Sequence, residues 1–239
     1  MYQMQLAENY EELSREFADM LVETVKRKAN AVIVVATGDS PRLGYKIFVE
    51  RVKKEQINVS QVTFIKLDEW IGLSSTNPAT CEYFIQQELL IPLGIKKEAY
   101  ISFDCEEEDK QLECRRVENM LNKLGGIDLA ILGVGKNGHL GLNEPDKQLQ
   151  LGPHTVELDK KTKTHSMLLE TTTEVAFGIT LGIGNLFMAN QIILLISGEG
   201  KEGAVEKFLD QTVSTQVPVT LLKLHPNLHC IAEKQLVIN

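Results

Sequence analysis

An open, mainly parallel α/β sheet with helices on both faces is the fold class this sequence predicts, on three observations. Short β-branched runs alternate with helical stretches along the chain. Several of those runs are apolar without alternation, as strands covered on both faces must be. Pro is sparse, at 7 residues, and no repeat, low-complexity tract or linker divides the chain, so residues 1–239 are read as one domain.

The N-terminus, MYQMQLAENYEEL, is acidic and reads as part of an amphipathic helix. From Leu6 its apolar positions Tyr10, Leu13, Phe17, Met20, Leu21 and Val25 recur at three- and four-residue steps. The first strand is AVIVVATG at 31–38, followed by a helix over 41–54; the second is VTFIKL at 62–67, followed by a helix over 78–90. A helix over 108–124 leads into the strand IDLAILGVG at 127–135. The runs FGITLG at 177–182 and QIILLISG at 191–198 supply two more strands of the same sheet, and a helix over 200–210 follows.

Composition narrows the function classes. Apolar residues are 43 % and charged residues 24 %, which excludes disordered, collagenous and disulfide-scaffold chains. A net charge of −8 without a basic run is a poor match to a phosphate backbone, so no nucleic-acid partner is expected. An anionic small molecule stays open, because a few placed N–H groups and one cation outweigh a distant surface field. Cys81, Cys105, Cys114 and Cys230 form no C-x-x-C pair and have no His at zinc spacing, so they are read as free thiols in a reducing compartment, with no metal. No apolar run approaches the roughly 18 residues of a membrane span, and no signal architecture opens the chain; no membrane and a cytoplasmic location are expected.

In such sheets ligands sit beyond the carboxyl ends of the strands, and here those ends are chemically loaded: TGDSP, LDEW, GKNGHLGLNEP and SGEGK. Thr37-Gly38-Asp39-Ser40-Pro41 opens a helix; either its N–H groups and hydroxyls cradle a phosphate, or Ser40 merely caps. It is not a hydrolase elbow, since Arg42 stands where G-x-S-x-G needs Gly. Gly133-Val-Gly-Lys-Asn-Gly138 is formally G-x-G-x-x-G, with Glu157 and Asp159 some 20 residues on. A dinucleotide loop would run straight into a long helix, whereas GLNEP follows. Gly200-Lys201 is no Walker loop either, with Leu195 and Glu202 at positions that need Gly and Ser/Thr. His139, with Asn137 and Glu144 close by, is either an acid/base poised near neutral pH or a hydrogen-bonded structural residue. Asp68-Glu69 is likewise either reactive or a capping pair. Their recurrence at successive strand ends favours convergence on one ligand.

Taken together, ATGDSP, FIKLDEW, GGIDLAILGVGKNGHLGLNEP, ITLG and LHP, in this order and spacing, resemble the glucosamine-6-phosphate deaminase/isomerase and 6-phosphogluconolactonase superfamily from about residue 31 to about 232. Within it, KLDEW, Thr-Cys-Glu at 80–82, GKNGHLGLNEP, GITLG and GEGK are most similar to galactosamine-6-phosphate deaminase/isomerase. The resemblance implies a modified Rossmann-like three-layer α/β/α sandwich with a mainly parallel central sheet. It also implies a mobile cover around 150–175, a stretch that is polar and without strong period here.

By the same resemblance Asp68 is the carbon base, His139 the ring-opening acid/base and Glu144 its supporting carboxylate. Thr37, Gly38, Ser40 and Lys201 match the phosphate site. Two positions depart from the glucosamine pattern: Asn137 replaces an aspartate at the catalytic loop, and His165 falls where a phosphate-binding arginine is expected. Both changes resemble the galactosamine branch.

The implied activity is cofactor-independent conversion of galactosamine 6-phosphate to tagatose 6-phosphate and ammonia. A carboxylate near pKa 4 is too weak for the C2 proton unless desolvation strengthens it, and Asp68 beside Trp70 under a closing cover could gain that strength. The partner is then a small hexosamine 6-phosphate, and a homo-oligomer is compatible with the sequence. The alternatives are glucosamine-6-phosphate deaminase, 6-phosphogluconolactonase, and a non-catalytic sugar-phosphate sensor. The lactonase pattern continues Ser-Leu-Phe-Pro after the histidine, against Leu-Asn-Glu-Pro here. A sensor would leave Asp68, His139 and Glu144 together by coincidence.

Overall fold

The structure, a computed structural model, describes residues 2–237, apart from the side chain of Glu170. Its strands are β1 (Gln3–Ala7), β2 (Val32–Val35), β3 (Thr63–Lys66), β4 (Asp68–Ile71), β5 (Tyr100–Ile101), β6 (Ile127–Gly133), β7 (His154–Glu157), β8 (Phe177–Thr180), β9 (Ala189–Ile196) and β10 (Leu228–Glu233). The helices are α1 (Tyr10–Arg27), α2 (Asp39–Lys54), α3 (Cys81–Ile85), α4 (Ile91–Leu93), α5 (Lys110–Leu124), α6 (Ile183–Phe187) and α7 (Glu202–Leu209).

Seven parallel strands form the central sheet in the order β1-β10-β9-β6-β2-β3-β5. Alternate residues of each strand face opposite layers. Ile33, Val35, Leu129, Ile131, Ile193 and Leu195 join Phe17, Leu21, Tyr45 and Phe48 of α1 and α2 on one face. Val34, Ala130, Leu132, Ile192 and Leu194 join Val117, Leu121, Leu186 and Phe208 of α5, α6 and α7 on the other. The result is the predicted three-layer sandwich. β9, β6, β2 and β3, which carry the four loaded loops, are consecutive in the sheet, so those loops emerge side by side at one edge of the molecule.

The structure corrects the predicted sheet at two strands. The run at 177–182 is not a central strand: β8 pairs antiparallel with β4 and β7 in a separate three-stranded sheet. Only residues 181–188 separate β8 from β9, too few for the dozen-residue crossover that a parallel neighbour needs. The N-terminus begins as a strand, not a helix. Tyr2, Met4 and Leu6 alternate with polar residues, and β1 pairs parallel with β10 at the sheet edge. α1 starts only after Asn9, whose side chain accepts from the Glu12 N–H at 2.9 Å. The predicted helix over 78–90 starts at Cys81, passes through a π turn at Gln86–Leu90 and stops at left-handed Gly94.

Candidate active site

A cavity of about 420 Å³ opens where the four loops meet, within the usual range for a small-molecule site. Asp68, His139, Thr37, Gly38, Ser40, His165 and Lys201 all line it. Asn137 and Glu144 stand behind His139.

Asp68 sits where the chain leaves the central sheet. β3 ends at Lys66, Leu67 bonds back to the Val35 carbonyl at 3.2 Å, and β4 starts the small sheet with Asp68 opposite Thr180. The carboxylate is 7 % exposed. Burial, with the neighbouring Glu69 charge, pushes it up to about 6 against the opposing pull of the Cys81 thiol, His139 and Lys66. Relative to an ordinary aspartate that is roughly a hundredfold gain in basicity, yet the group stays mostly ionised at neutral pH. Glu69 is no rival base. It accepts the backbone N–H groups of Trp70, Cys81 and Glu82 at 2.7–2.9 Å and the Lys66 ammonium at 2.9 Å, which leaves it a structural cap for α3.

His139 belongs to the glycine-rich loop after β6. Its Nδ1 lies 3.4 Å from Glu144 Oε2 and 3.1 Å from Thr162 Oγ1. That pairing assigns the proton to Nδ1 and leaves the Nε2 lone pair for the cavity. Burial opposes ionisation of Glu144, but the His139 contact, with Thr162 and Asn137, holds its carboxyl down at about 2. Asn137 ties the loop together, donating Nδ2 to Glu144 at 2.8 Å while its Oδ1 accepts the His139 N–H at 3.2 Å.

Gly135 is required by the imidazole itself: a Cβ there would lie 2.4 Å from Cε1 and Nε2 of His139. Gly138 has φ +87°, and a Cβ would lie 2.6 Å from Val217 Cγ1. The G-x-G-x-x-G spacing therefore serves ring packing and a turn, in keeping with the rejected dinucleotide reading.

Across the cavity, α2 begins at Gly38, whose φ of +96° turns the chain into the helix without any side-chain cap. Ser40 does not cap; its Oγ accepts from Lys201 Nζ at 3.1 Å and from Ser197 Oγ at 2.9 Å. The free N–H groups at the positive end of α2 and the Lys201 ammonium thus face one spot, an arrangement suited to an anion. Burial pushes Lys201 down to about 8. His165 closes the spot from the 150–175 segment, with Nδ1 accepting the Met167 N–H at 3.3 Å, so that Nε2 carries the proton. Burial, helped by the positive neighbours, pushes it down to about 4, which makes it a neutral donor at pH 7.

The chain matches the model of the glucosamine-6-phosphate isomerases/6-phosphogluconolactonase family over residues 5–230. The chain belongs to this family. It is 46 % identical to the Escherichia coli K12 protein named "Putative deaminase AgaI", over 95 % of this chain and 90 % of that one. It is 38 % identical to a glucosamine-6-phosphate deaminase of Thermoanaerobacter pseudethanolicus, with the same coverage. A monomeric glucosamine-6-phosphate deaminase, described as the missing link of the NagB superfamily, superposes with a TM-score of 0.93 at 29 % identity over 98 % of both chains. The 6-phosphogluconolactonase of Thermotoga maritima shares the fold, with a TM-score of 0.77 at 17 % identity.

Several residues around the cavity of this isomerase-family enzyme were not visible in the sequence. Thr162, which touches His139, and Asp159, whose N–H donates to Glu144 at 3.2 Å, tie the 150–175 segment to the histidine. Cys81 joins two loops: its thiol accepts from Thr37 Oγ1 at 3.2 Å and donates to Asp68 Oδ1 at 3.6 Å. Lys66, buried inside β3, bridges Glu69 and Glu82, each at 2.9 Å. Among the described residues no cluster of His, Cys, Asp or Glu is arranged to hold a metal ion, and no helix is long and apolar enough to cross a membrane.

Proposed function

We propose that this protein isomerises and deaminates a hexosamine 6-phosphate, and that its substrate is galactosamine 6-phosphate, converted to tagatose 6-phosphate and ammonia. The observation that carries this reading is a strengthened carboxylate and a carboxylate-supported imidazole on one side of a cavity whose other side is an anion cradle. His139 Nε2 takes the proton of O1 and delivers it to O5, opening the sugar ring. Asp68 removes the C2 proton and returns it to C1, while the amino nitrogen gives up a proton and O1 gains one, which leaves a ketose imine with a C1 hydroxyl. Water adds to the imine carbon and ammonia departs. C2 is oxidised as C1 is reduced, so the balance needs no external electron acceptor.

Ser40, Lys201, His165 and the N-terminus of α2, with Thr37 and Gly38, hold the phosphate at the far end. Segment 150–175 is the cover, and its bonds to Glu144 and His139 make histidine alignment depend on closure. The galactosamine assignment is supported by Asn137 and His165, the two departures from the glucosamine pattern. Glucosamine 6-phosphate is the second reading, favoured by the names of the Thermoanaerobacter and monomeric relatives. Ammonia release from the two epimers, assayed side by side on purified protein, separates them. We expect preference for the galacto epimer. Equal or reversed preference removes that assignment and leaves glucosamine 6-phosphate; lactone hydrolysis without ammonia release removes both.

A further inference from the structure

We propose that Lys136, on the glycine-rich loop after β6, is a further cation of the anion cradle and contacts the substrate's phosphate together with Lys201. The inference deepens the sugar-phosphate reading above and rests on it for the identity of the anion.

Charge counting around the cradle supports the assignment. Besides Asp68, three carboxylates, Asp39, Glu199 and Glu233, line the cavity. Two of them are held by partners of their own: Asp39 accepts from Ser166 Oγ at 2.9 Å, and Glu233 accepts from the Gly198 N–H at 3.0 Å and from Gln235 Nε2 at 3.1 Å. Against these, Lys201 supplies one positive charge at Ser40 and Lys161 a second from the 150–175 segment. His165, at the position where the family resemblance leads one to expect an arginine, supplies a donor but no charge at neutral pH. A phosphate monoester is nearly a dianion at that pH, so a cavity with these two lysines against three carboxylates besides Asp68 is short of positive charge.

Lys136 makes up the shortfall from the adjacent strand end. It lines the same cavity, and its charge acts on both Lys201 and His165, lowering the protonation of each. Its stem runs alongside Gly200 in the SGEGK loop, where a Cβ would lie 3.4 Å from Cδ and from Cε. Gly200 has φ +79°, so a side chain there would be strained as well as crowded. That glycine gives the long side chain a channel past the loop that carries Lys201. Lys136 makes no ion pair among the described residues and is itself exposed between half-buried neighbours, so its ammonium is free to meet an incoming anion.

The test measures binding of inorganic phosphate to wild type, Lys136→Met and Lys136→Arg by calorimetry, with steady-state kinetics on the hexosamine 6-phosphate in parallel. We expect phosphate affinity to fall about tenfold or more in Lys136→Met and to return to within about threefold in Lys136→Arg. KM should rise in the same proportion while kcat at saturation holds. Wild-type affinity in Lys136→Met, or no phosphate binding by wild type, overturns the proposal. Weakened phosphate binding in Lys136→Met without ammonia release by any of the three proteins upholds Lys136 and overturns the deaminase reading instead.

Discussion

Replacing Asp68 with asparagine should stabilise the protein while abolishing its chemistry. The carboxyl is raised by burial and by Glu69 from 3.8 to about 6, equivalent to about 3 kcal/mol. The sign follows from proton counts. Between pH 4 and 6 the folded state binds more protons at Asp68 than the unfolded state does, so this group's contribution to stability falls as pH rises through that window. Above pH 6 the folded protein carries the full cost of an ionised buried carboxylate; below pH 4 both states are protonated and the cost is gone.

Asp68→Asn removes the charge and keeps an oxygen able to accept from Cys81. At pH 7.5 it should therefore be more stable by up to about 3 kcal/mol, a rise in Tm of roughly 5–10 °C for a chain of this size. The advantage should shrink through pH 6 and vanish below pH 4. Scanning calorimetry of both proteins across that range measures it, and exchange of the substrate C2 hydrogen with solvent measures the lost base. Wild-type kcat/KM should show an acidic limb near pH 6, with about one-tenth of the activity left at pH 5. A variant less stable at every pH, or one whose advantage does not depend on pH, would refute the claim that Asp68 is strengthened by desolvation.

Lys201→Ala should raise KM about 10- to 150-fold, the equivalent of roughly 1.5–3 kcal/mol for a charge-assisted contact, with kcat largely kept. Because burial lowers Lys201 to about 8, wild-type affinity for phosphate should also weaken as pH rises past 8, and an affinity flat to pH 9 would place the phosphate elsewhere. Gly135→Ala should cost roughly a hundredfold in kcat at nearly constant KM, since a Cβ 2.4 Å from His139 Nε2 forces the ring out of line. Unchanged kcat would mean that His139 carries no proton in the reaction.

The sequence makes the central strands of the sheet legible because burial on both faces leaves continuous apolar runs such as VIVV and LAIL, and the loaded strand ends locate the site before any geometry is known. What it hides are edges and exits. β5 is two residues long, and β10 carries a histidine within LHCIAE, so neither stands out as a run. FGIT has the composition of a strand, but its sheet is decided by the short connection to β9, a global constraint that local pattern does not encode. Asp68, His139, Thr37, Gly38, Ser40, His165 and Lys201 are brought to one cavity although 164 positions separate the first of them, Thr37, from the last, Lys201.

The partners that tune those groups are less legible, because their residue types mislead. A lysine between apolar residues of a strand, as in FIKL, reads as the solvent-facing member of an alternation. Lys66 is instead 1 % exposed, and burial alone would lower its protonation. Glu69 and Glu82 more than offset that and raise it. Removing either glutamate alone would leave a buried ion short of a partner, whereas the intact trio leaves one excess negative charge beside the site. The trio thus does two jobs at once. It anchors the start of α3 through the Cys81 and Glu82 N–H groups that Glu69 accepts, and it sets Glu69 where its charge adds to burial in raising Asp68. The acid next to Asp68 in LDEW acts on that carboxylate through the field it imposes, without lining the cavity.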